Sequence, residues 1–173
     1  MTDFLLRPWR EADAASLAHC ANDPGIAANL RDVFPSPYTR LDADFFIRDC
    51  LAREGEGQLC RAIEIGGAAV GSIGVFQGAD VYRRSAEIGY WLGRDYWGQG
   101  VMTEAVRRMC REAFAAWDIV RIHAEVFAPN LASQAVLEKA GFVFEGTKRS
   151  SVYKGGQVLD SRVYALLKEE AKS

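Results

Sequence analysis

Glu87-Ile88-Gly89-Tyr90-Trp91-Leu92-Gly93-Arg94-Asp95-Tyr96-Trp97-Gly98-Gln99-Gly100-Val101-Met102-Thr103-Glu104-Ala105 is the stretch that decides how this chain is read. Ser85 to Leu92 reads as a strand, and it runs into a loop containing Gly98 and Gly100. The loop opens the clearest helical pattern in the chain, Met102 to Trp117. Val101, Ala105, Met109 and Ala113 form one apolar stripe, with Val106 and Trp117 beside it, and Glu104, Arg107, Arg108, Arg111 and Glu112 lie opposite. The two glycines permit a tight turn and close backbone approach. The first turn of a helix presents N–H groups without internal partners, at the positive end of the dipole. Strand, glycine loop and helix start together form an anion site suited to phosphate or pyrophosphate. The plain structural alternative is a glycine turn that only lets helix pack on strand.

Two well-known anion loops do not fit. A P-loop ends in Gly-Lys-Ser/Thr, whereas Gly100 is followed by Val101 and Met102. A dinucleotide fingerprint needs a third glycine or alanine where Thr103 stands. It also needs an acid at the end of the next strand, and Asp118 precedes the strand Arg121 to Phe127.

Outward from this centre the chain alternates. Phe4 to Trp9 predicts a strand and Glu11 to Cys20 a helix, broken at Asn22-Asp23-Pro24-Gly25. Ile26 to Leu30 predicts a second short helix. Phe34-Pro35-Ser36-Pro37-Tyr38 stops it, and Thr39 with Asp42 caps a helix over Leu41 to Arg53. Leu59 to Ile65 and Ala68 to Phe76 flank Gly66-Gly67, a hairpin signal. In Arg121 to Phe127, Ile122, Ala124 and Val126 point one way and His123 and Glu125 the other. That places His123 and Glu125 at the surface or against a helix rather than in catalysis. Asn130 to Ala140 predicts a helix ending at Gly141. Phe142 to Glu145 and Val158 to Leu167 read as late strands around Lys154-Gly155-Gly156. This order implies an α/β fold, a mixed sheet with helices on its faces, in one domain over residues 1–173.

The 173 residues carry a net charge of -2, 49% apolar and 25% charged side chains. This is the balance of a globular protein without the electrostatic footprint for a nucleic-acid duplex. No apolar run is long enough for a membrane span, and the N-terminus lacks the pattern of a signal peptide. Cys20, Cys50, Cys60 and Cys110 form no CxxC, and His19 and His123 are the only histidines. A metal site is therefore not indicated, and reduced thiols in the cytoplasm are the simplest expectation.

The central stretch resembles the GNAT acetyltransferase superfamily, in its RimJ/RimL-type branch. The resemblance rests on Ala86-Glu87-Ile88-Gly89-Tyr90-Trp91-Leu92, Tyr96-Trp97-Gly98-Gln99-Gly100 and Thr103-Glu104-Ala105. It continues through Asn130-Leu131-Ala132-Ser133, Lys139-Ala140-Gly141-Phe142, Glu145-Gly146, Asp160 and Tyr164-Ala165-Leu166-Leu167, with Phe34 to Thr39 upstream. It covers nearly the whole chain and implies a mostly antiparallel twisted sheet. It also implies acetyl-CoA as donor, a primary amine as acceptor, and direct attack in a ternary complex.

By the same resemblance the pyrophosphate loop falls on Trp97, Gly98, Gln99, Gly100, Val101 and Met102, with Thr103 next. Met102 is longer than the usual small residue there, and Trp97 is common in this branch. Backbone groups of Trp91 and Leu92 would pair with the pantetheine arm. Asn130 and Ser133 match a second CoA-side segment, and Asn130 is equally a favoured N-cap. Many relatives carry a tyrosine at the position of Leu137 as acid toward the leaving thiolate; here Ser133, one turn earlier, is the candidate. An ammonium of pKa about 10 must lose a proton before attack. Glu87 is the first candidate to accept it, the alternative being an ion pair with nearby Arg83 or Arg84. Val152 stands where some relatives carry another acid. The acceptor pocket is expected from Asn29, Arg31 and Asp32 for polarity and Phe34 and Tyr38 for walls, with Tyr90 as a hydrogen bonder. Aromatics that merely cover the sheet are the alternative. A non-catalytic acyl-CoA-sensing module of the same fold is the rival reading, and a homodimer is left open.

Overall fold

Gly66 and Gly67 both have positive φ, 60° and 84°. That is the geometry of a tight hairpin turn, and it joins β2 (Gln58–Ile65) to β3 (Ala68–Gln77). This hairpin is the seed of a seven-stranded sheet in a computed structural model that describes residues 2–172. β1 (Leu5–Arg7) pairs with β2, and β4 (Ser85–Leu92) pairs with β3. β5 (Arg121–Phe127), β7 (Gln157–Leu167) and β6 (Val143–Lys154) complete the order β1-β2-β3-β4-β5-β7-β6. Every neighbouring pair is antiparallel except β4 and β5. The mixed, mostly antiparallel sheet implied by the sequence is present.

Among the described residues, five α-helices cover the sheet: α1 (Ala14–Ala21), α2 (Pro24–Ala27), α3 (Arg40–Ala52), α4 (Val101–Ala116) and α5 (Leu131–Lys139). α3 starts at the expected capping box. Asp42 N–H donates to Thr39 Oγ1 (3.3 Å), and Thr39 N–H donates to Asp42 Oδ2 (2.8 Å). The stripe Val101, Ala105, Met109 and Ala113 is buried in the larger core with Ile88, Ile122, Ala124 and Val126. Trp9, Leu17, Tyr38, Ile47, Cys50 and Cys60 form a second core on the opposite face of the sheet. Alternation assigns the strands to these layers. Ala86, Ile88, Tyr90 and Leu92 of β4 face the α4 side, and Glu87, Gly89 and Trp91 face the other.

Three expectations change. The second short helix spans Pro24–Ala27 rather than Ile26 to Leu30. Asp23 accepts from Gly25 N–H (2.7 Å) and Pro24 takes the first helical position, so the residues that break α1 also start α2. β6 runs to Lys154, far past Glu145, because register shifts after Phe144 and Lys148 hide its alternation. The Glu87 carboxylate pairs with Arg31 rather than with Arg83 or Arg84. Arg84 reaches Asp118 instead.

One feature of the sheet positions the site. β4 and β5 pair only through Ser85–Arg121, Ala86–Ile122 and Glu87–His123. Parallel strands that stop pairing while both continue must separate, and a cleft opens between Ile88–Leu92 and Ala124–Phe127.

Candidate active site

The cleft widens into a cavity of about 480 Å³, lined by Ile88 to Leu92 on one side and Ala124, Glu125 and Val126 on the other. Tyr96 to Thr103 of the glycine loop, Gly25, Ile26, Asn29 and Leu30 around α2, and Asn130 and Ser133 at the start of α5 complete the lining.

In the glycine loop Gly98 and Gly100 both have positive φ, 73° and 78°, and a Cβ on either would meet open space. Gly100 is the N-cap of α4 and has no side chain to satisfy the first-turn amides. Those amides, with the helix dipole behind them, face the cavity. The loop is pinned from outside. Trp97 Nε1–H donates to the Leu92 carbonyl (2.7 Å), and the Arg94 guanidinium lies 4.9 Å from the Trp97 ring centroid. Arg94 also donates from Nε and Nη2 to Asp23 (2.6 and 2.7 Å), tying the loop to the start of α2. This guanidinium holds the Asp23 carboxyl down at about 2. Gln99 turns back on its own loop, donating to the Asp95 carbonyl (2.9 Å). Met102 is buried with the larger core and also lines the cavity.

In the same lining, Tyr90 from β4 meets Ser133 from α5, with Tyr90 Oη 2.8 Å from Ser133 Oγ. Burial pushes the Tyr90 phenol above its ordinary pKa, with the Ser133 hydrogen bond acting the other way. The phenol therefore stays protonated near neutrality. Asn130 caps α5, its Oδ1 accepting from Ser133 N–H (3.3 Å). Leu137 is fully buried in the core. The cavity thus brings the uncapped amides of α4 and a hydroxyl pair into one lining.

Comparison with known proteins agrees with this geometry. A family model described as "Acetyltransferase (GNAT) domain" matches residues 3–143. The chain is 36% identical over 172 residues to the Bacillus licheniformis "Uncharacterized N-acetyltransferase p20", covering 96% of this chain and 94% of that protein.

The chain belongs to the GNAT acetyltransferase family.

It is also 37% identical over 99 residues to the Bacillus subtilis "Uncharacterized N-acetyltransferase YoaA", covering 57% of this chain and 55% of that protein. The chain spans about half the length of several curated relatives it matches. Among solved structures, "Mycobacterium smegmatis RimJ in complex with CoA-disulfide" superposes with a TM-score of 0.87 at 27% identity, covering 98% of this chain and 84% of that one.

In GNAT terms, the residues expected around the donor come together: Trp91, Leu92, Trp97 to Thr103, Asn130 and Ser133 all line one cavity. The expected acceptor residues are divided. Asn29 and Tyr90 line the cavity, and Asn29 Nδ2 donates to the Gly25 carbonyl (3.1 Å). Arg31 is held on Glu87, and Asp32 on Lys154 (2.7 Å), at the outer rim. Neither Phe34 nor Tyr38 lines the cavity: Tyr38 is buried in the second core, 4.9 Å from Phe34 between ring centroids. Phe34 in turn packs edge-on against Trp91.

Glu125 corrects the reading in the other direction. It lines the cavity, with Oε1 accepting from Ser161 Oγ (2.6 Å) and Oε2 from Lys148 Nζ (2.7 Å). The alternation of β5 correctly put Glu125 opposite the apolar stripe. What the sequence does not show is that β4 departs at that position and leaves the opposite face open. His123 sits beside Glu87 across the last β4–β5 pair, its Nδ1 buried without a hydrogen-bond partner among the described residues. Burial keeps His123 below the ordinary histidine range, with Glu87 pulling the other way. Among the described residues, no group of three His, Cys, Asp or Glu side chains is placed to hold a metal ion, and no helix is long and apolar enough to cross a membrane.

Proposed function

We propose that this GNAT chain transfers the acetyl group of acetyl-CoA to a primary amine, a protein N-terminus or a small-molecule amine, by direct attack in a ternary complex. The observation that carries this reading is the uncapped α4 start with Gly98 and Gly100 opening onto a cavity that Tyr90 and Ser133 also line. The first-turn amides bind the diphosphate, and the pantetheine arm lies in the β4–β5 cleft. There the backbone of β4 beyond Glu87 has no β5 partner and is available to the arm and to the thioester carbonyl.

Catalysis then consists largely of holding amine and thioester together, an effect of several kcal/mol. Ser133 donates a hydrogen bond to the leaving thiolate, and Tyr90 donates to Ser133. Proton removal from the amine falls to Glu87 through water, after exchange of its Arg31 partner. Glu87 stands on the face of β4 shared with Gly89, where the absent side chain leaves room for the acceptor.

The test is calorimetry with CoA followed by thiol release from acetyl-CoA across a panel of amines. CoA binding with turnover on at least one amine is expected. Binding without turnover on any of them makes the chain an acyl-CoA-binding module, and no binding removes the reading entirely. Glu87→Gln is expected to flatten the alkaline-rising limb of the rate profile; an unchanged profile takes the proton acceptor elsewhere.

A further inference from the structure

Lys148 places a primary ammonium on a carboxylate that lines the cavity. Its Nζ lies 2.7 Å from Glu125 Oε2, and Glu125 is the carboxylate that lines the cavity. The seat itself is built. Ser161, fully buried on β7, donates to the other carboxylate oxygen (2.6 Å) and lies 2.8 Å from Ser151 Oγ. The Glu125 carboxylate is thus held from below by one buried hydroxyl, whereas the Lys148 side chain is 57% exposed and comes from the irregular stretch of β6. Across the cleft, Gly89 leaves open space on the same face of the sheet. Burial favours the neutral Glu125 carboxyl, yet Lys148, Ser161 and the more distant Arg31 outweigh it and hold the group below the ordinary carboxylate range. A carboxylate held ionised in this way is a weak proton acceptor and a good binding site for a cation.

We infer that Glu125 is the seat of the acceptor's ammonium, and that Lys148 fills this seat in the free protein and leaves it when an acceptor binds. The inference rests on the acetyl-transfer reading for the identity of the occupant, a primary alkylammonium. One ammonium replaces another on the same oxygen, so the exchange costs little beyond release of an exposed ion pair. Glu125 positions the nitrogen, and Glu87, on the same face of the sheet, remains the group toward which the proton departs.

The experiment uses the full chain saturated with CoA, labelled with 15N-lysine, and n-butylammonium as probe with n-butanol as its uncharged counterpart. The Lys148 side-chain resonance is expected to move to the position of a free lysine as n-butylammonium is added, and to stay in place with n-butanol. Lys148→Met is expected to tighten n-butylammonium binding by about three- to fivefold, the scale of an exposed ion pair. Adding Glu125→Gln to Lys148→Met should abolish that gain while leaving CoA affinity unchanged. A Lys148 resonance indifferent to saturating probe, or equal probe affinity in the single and double variants, overturns the inference. Amines that displace Lys148 but are never acetylated would remove the acetyl-transfer reading and keep the seat; amines that are acetylated without displacing it would do the reverse.

Discussion

The phenol oxygen of Tyr90 stands 2.8 Å from Ser133 Oγ, joining the strand that leads into the glycine loop to the first turn of α5. Tyr90 Oη has one other acceptor nearby among the described residues, the Ser133 carbonyl at 3.5 Å. When Tyr90 donates to Ser133 Oγ, the serine proton is free to point into the cavity. A cysteine-like thiol has a pKa of about 8.5, below that of a phenol and well below that of an alcohol. In the proposed reaction the pair would therefore stabilise the thiolate by hydrogen bonding rather than surrender a proton to it. Tyr90→Phe is expected to lower kcat about tenfold or more, the scale of a hydrogen bond to a charged group, with the CoA dissociation constant unchanged. Ser133→Ala should behave alike, and the double variant should lose less than the two losses combined, since both act through one hydrogen bond. Steady-state kinetics with CoA calorimetry on the three variants checks this.

Gly100 caps α4 at φ 78°, with open space where a Cβ would project. Gly100→Ala is expected to destabilise the fold by about 1–2 kcal/mol, from the left-handed backbone alone. It should also weaken CoA binding, because the new methyl enters that open space. Urea unfolding and CoA calorimetry on the same preparation separate the two effects.

Arg7 and Asp13 form a bidentate pair at 2.8 Å for both contacts, with side-chain exposures of 10% and 9%. Arg7 also reaches Glu64, joining β1, the turn before α1 and β2. Asp13→Ala leaves a largely buried guanidinium short of one partner and is expected to cost about 3–5 kcal/mol. Replacing Arg7 and Asp13 together by apolar residues should cost less than Asp13→Ala. Denaturant midpoints of the two variants provide the comparison.

Acid should loosen the glycine loop that precedes α4. Asp23, on Arg94, has its folded pKa depressed to about 2 from an ordinary value of 3.8. For a depressed carboxylate the stabilisation is fully present above the unfolded pKa and is lost as pH falls through the folded one. The Asp23 contribution is therefore expected to hold above roughly pH 4 and to fade toward pH 2. Asp13 is shifted in the same direction: burial opposes its ionisation, but Arg7 outweighs it. Acid unfolding followed by tryptophan fluorescence should show a steeper decline over that window in the parent chain than in Asp23→Asn.

Much of the fold is legible in the residues. The capping pair Thr39 and Asp42, the Gly66-Gly67 turn and the stripe on α4 are local signals, each a matter of one hydrogen bond, one φ value or one helical face. β4 and β5 occur with the boundaries their alternation predicts. β6 is less legible, because two register shifts break its period. The α2 boundary misleads, because Asp-Pro both ends one helix and begins another.

The sequence by itself determined the order of elements, the glycine loop at the start of α4, and the kinship that the central stretch carries. These depend on contacts within a few residues or on motifs contiguous in the chain. Only the tertiary structure decided that Glu87 meets Arg31, that Tyr38 is buried in a core away from the cavity, and that Glu125 reaches the cavity under Lys148. It also set Tyr90 against Ser133. Each of those relations joins elements far apart in sequence, and the reach of Glu125 into the cavity follows from where β4 and β5 cease to pair, which no local pattern of residues encodes.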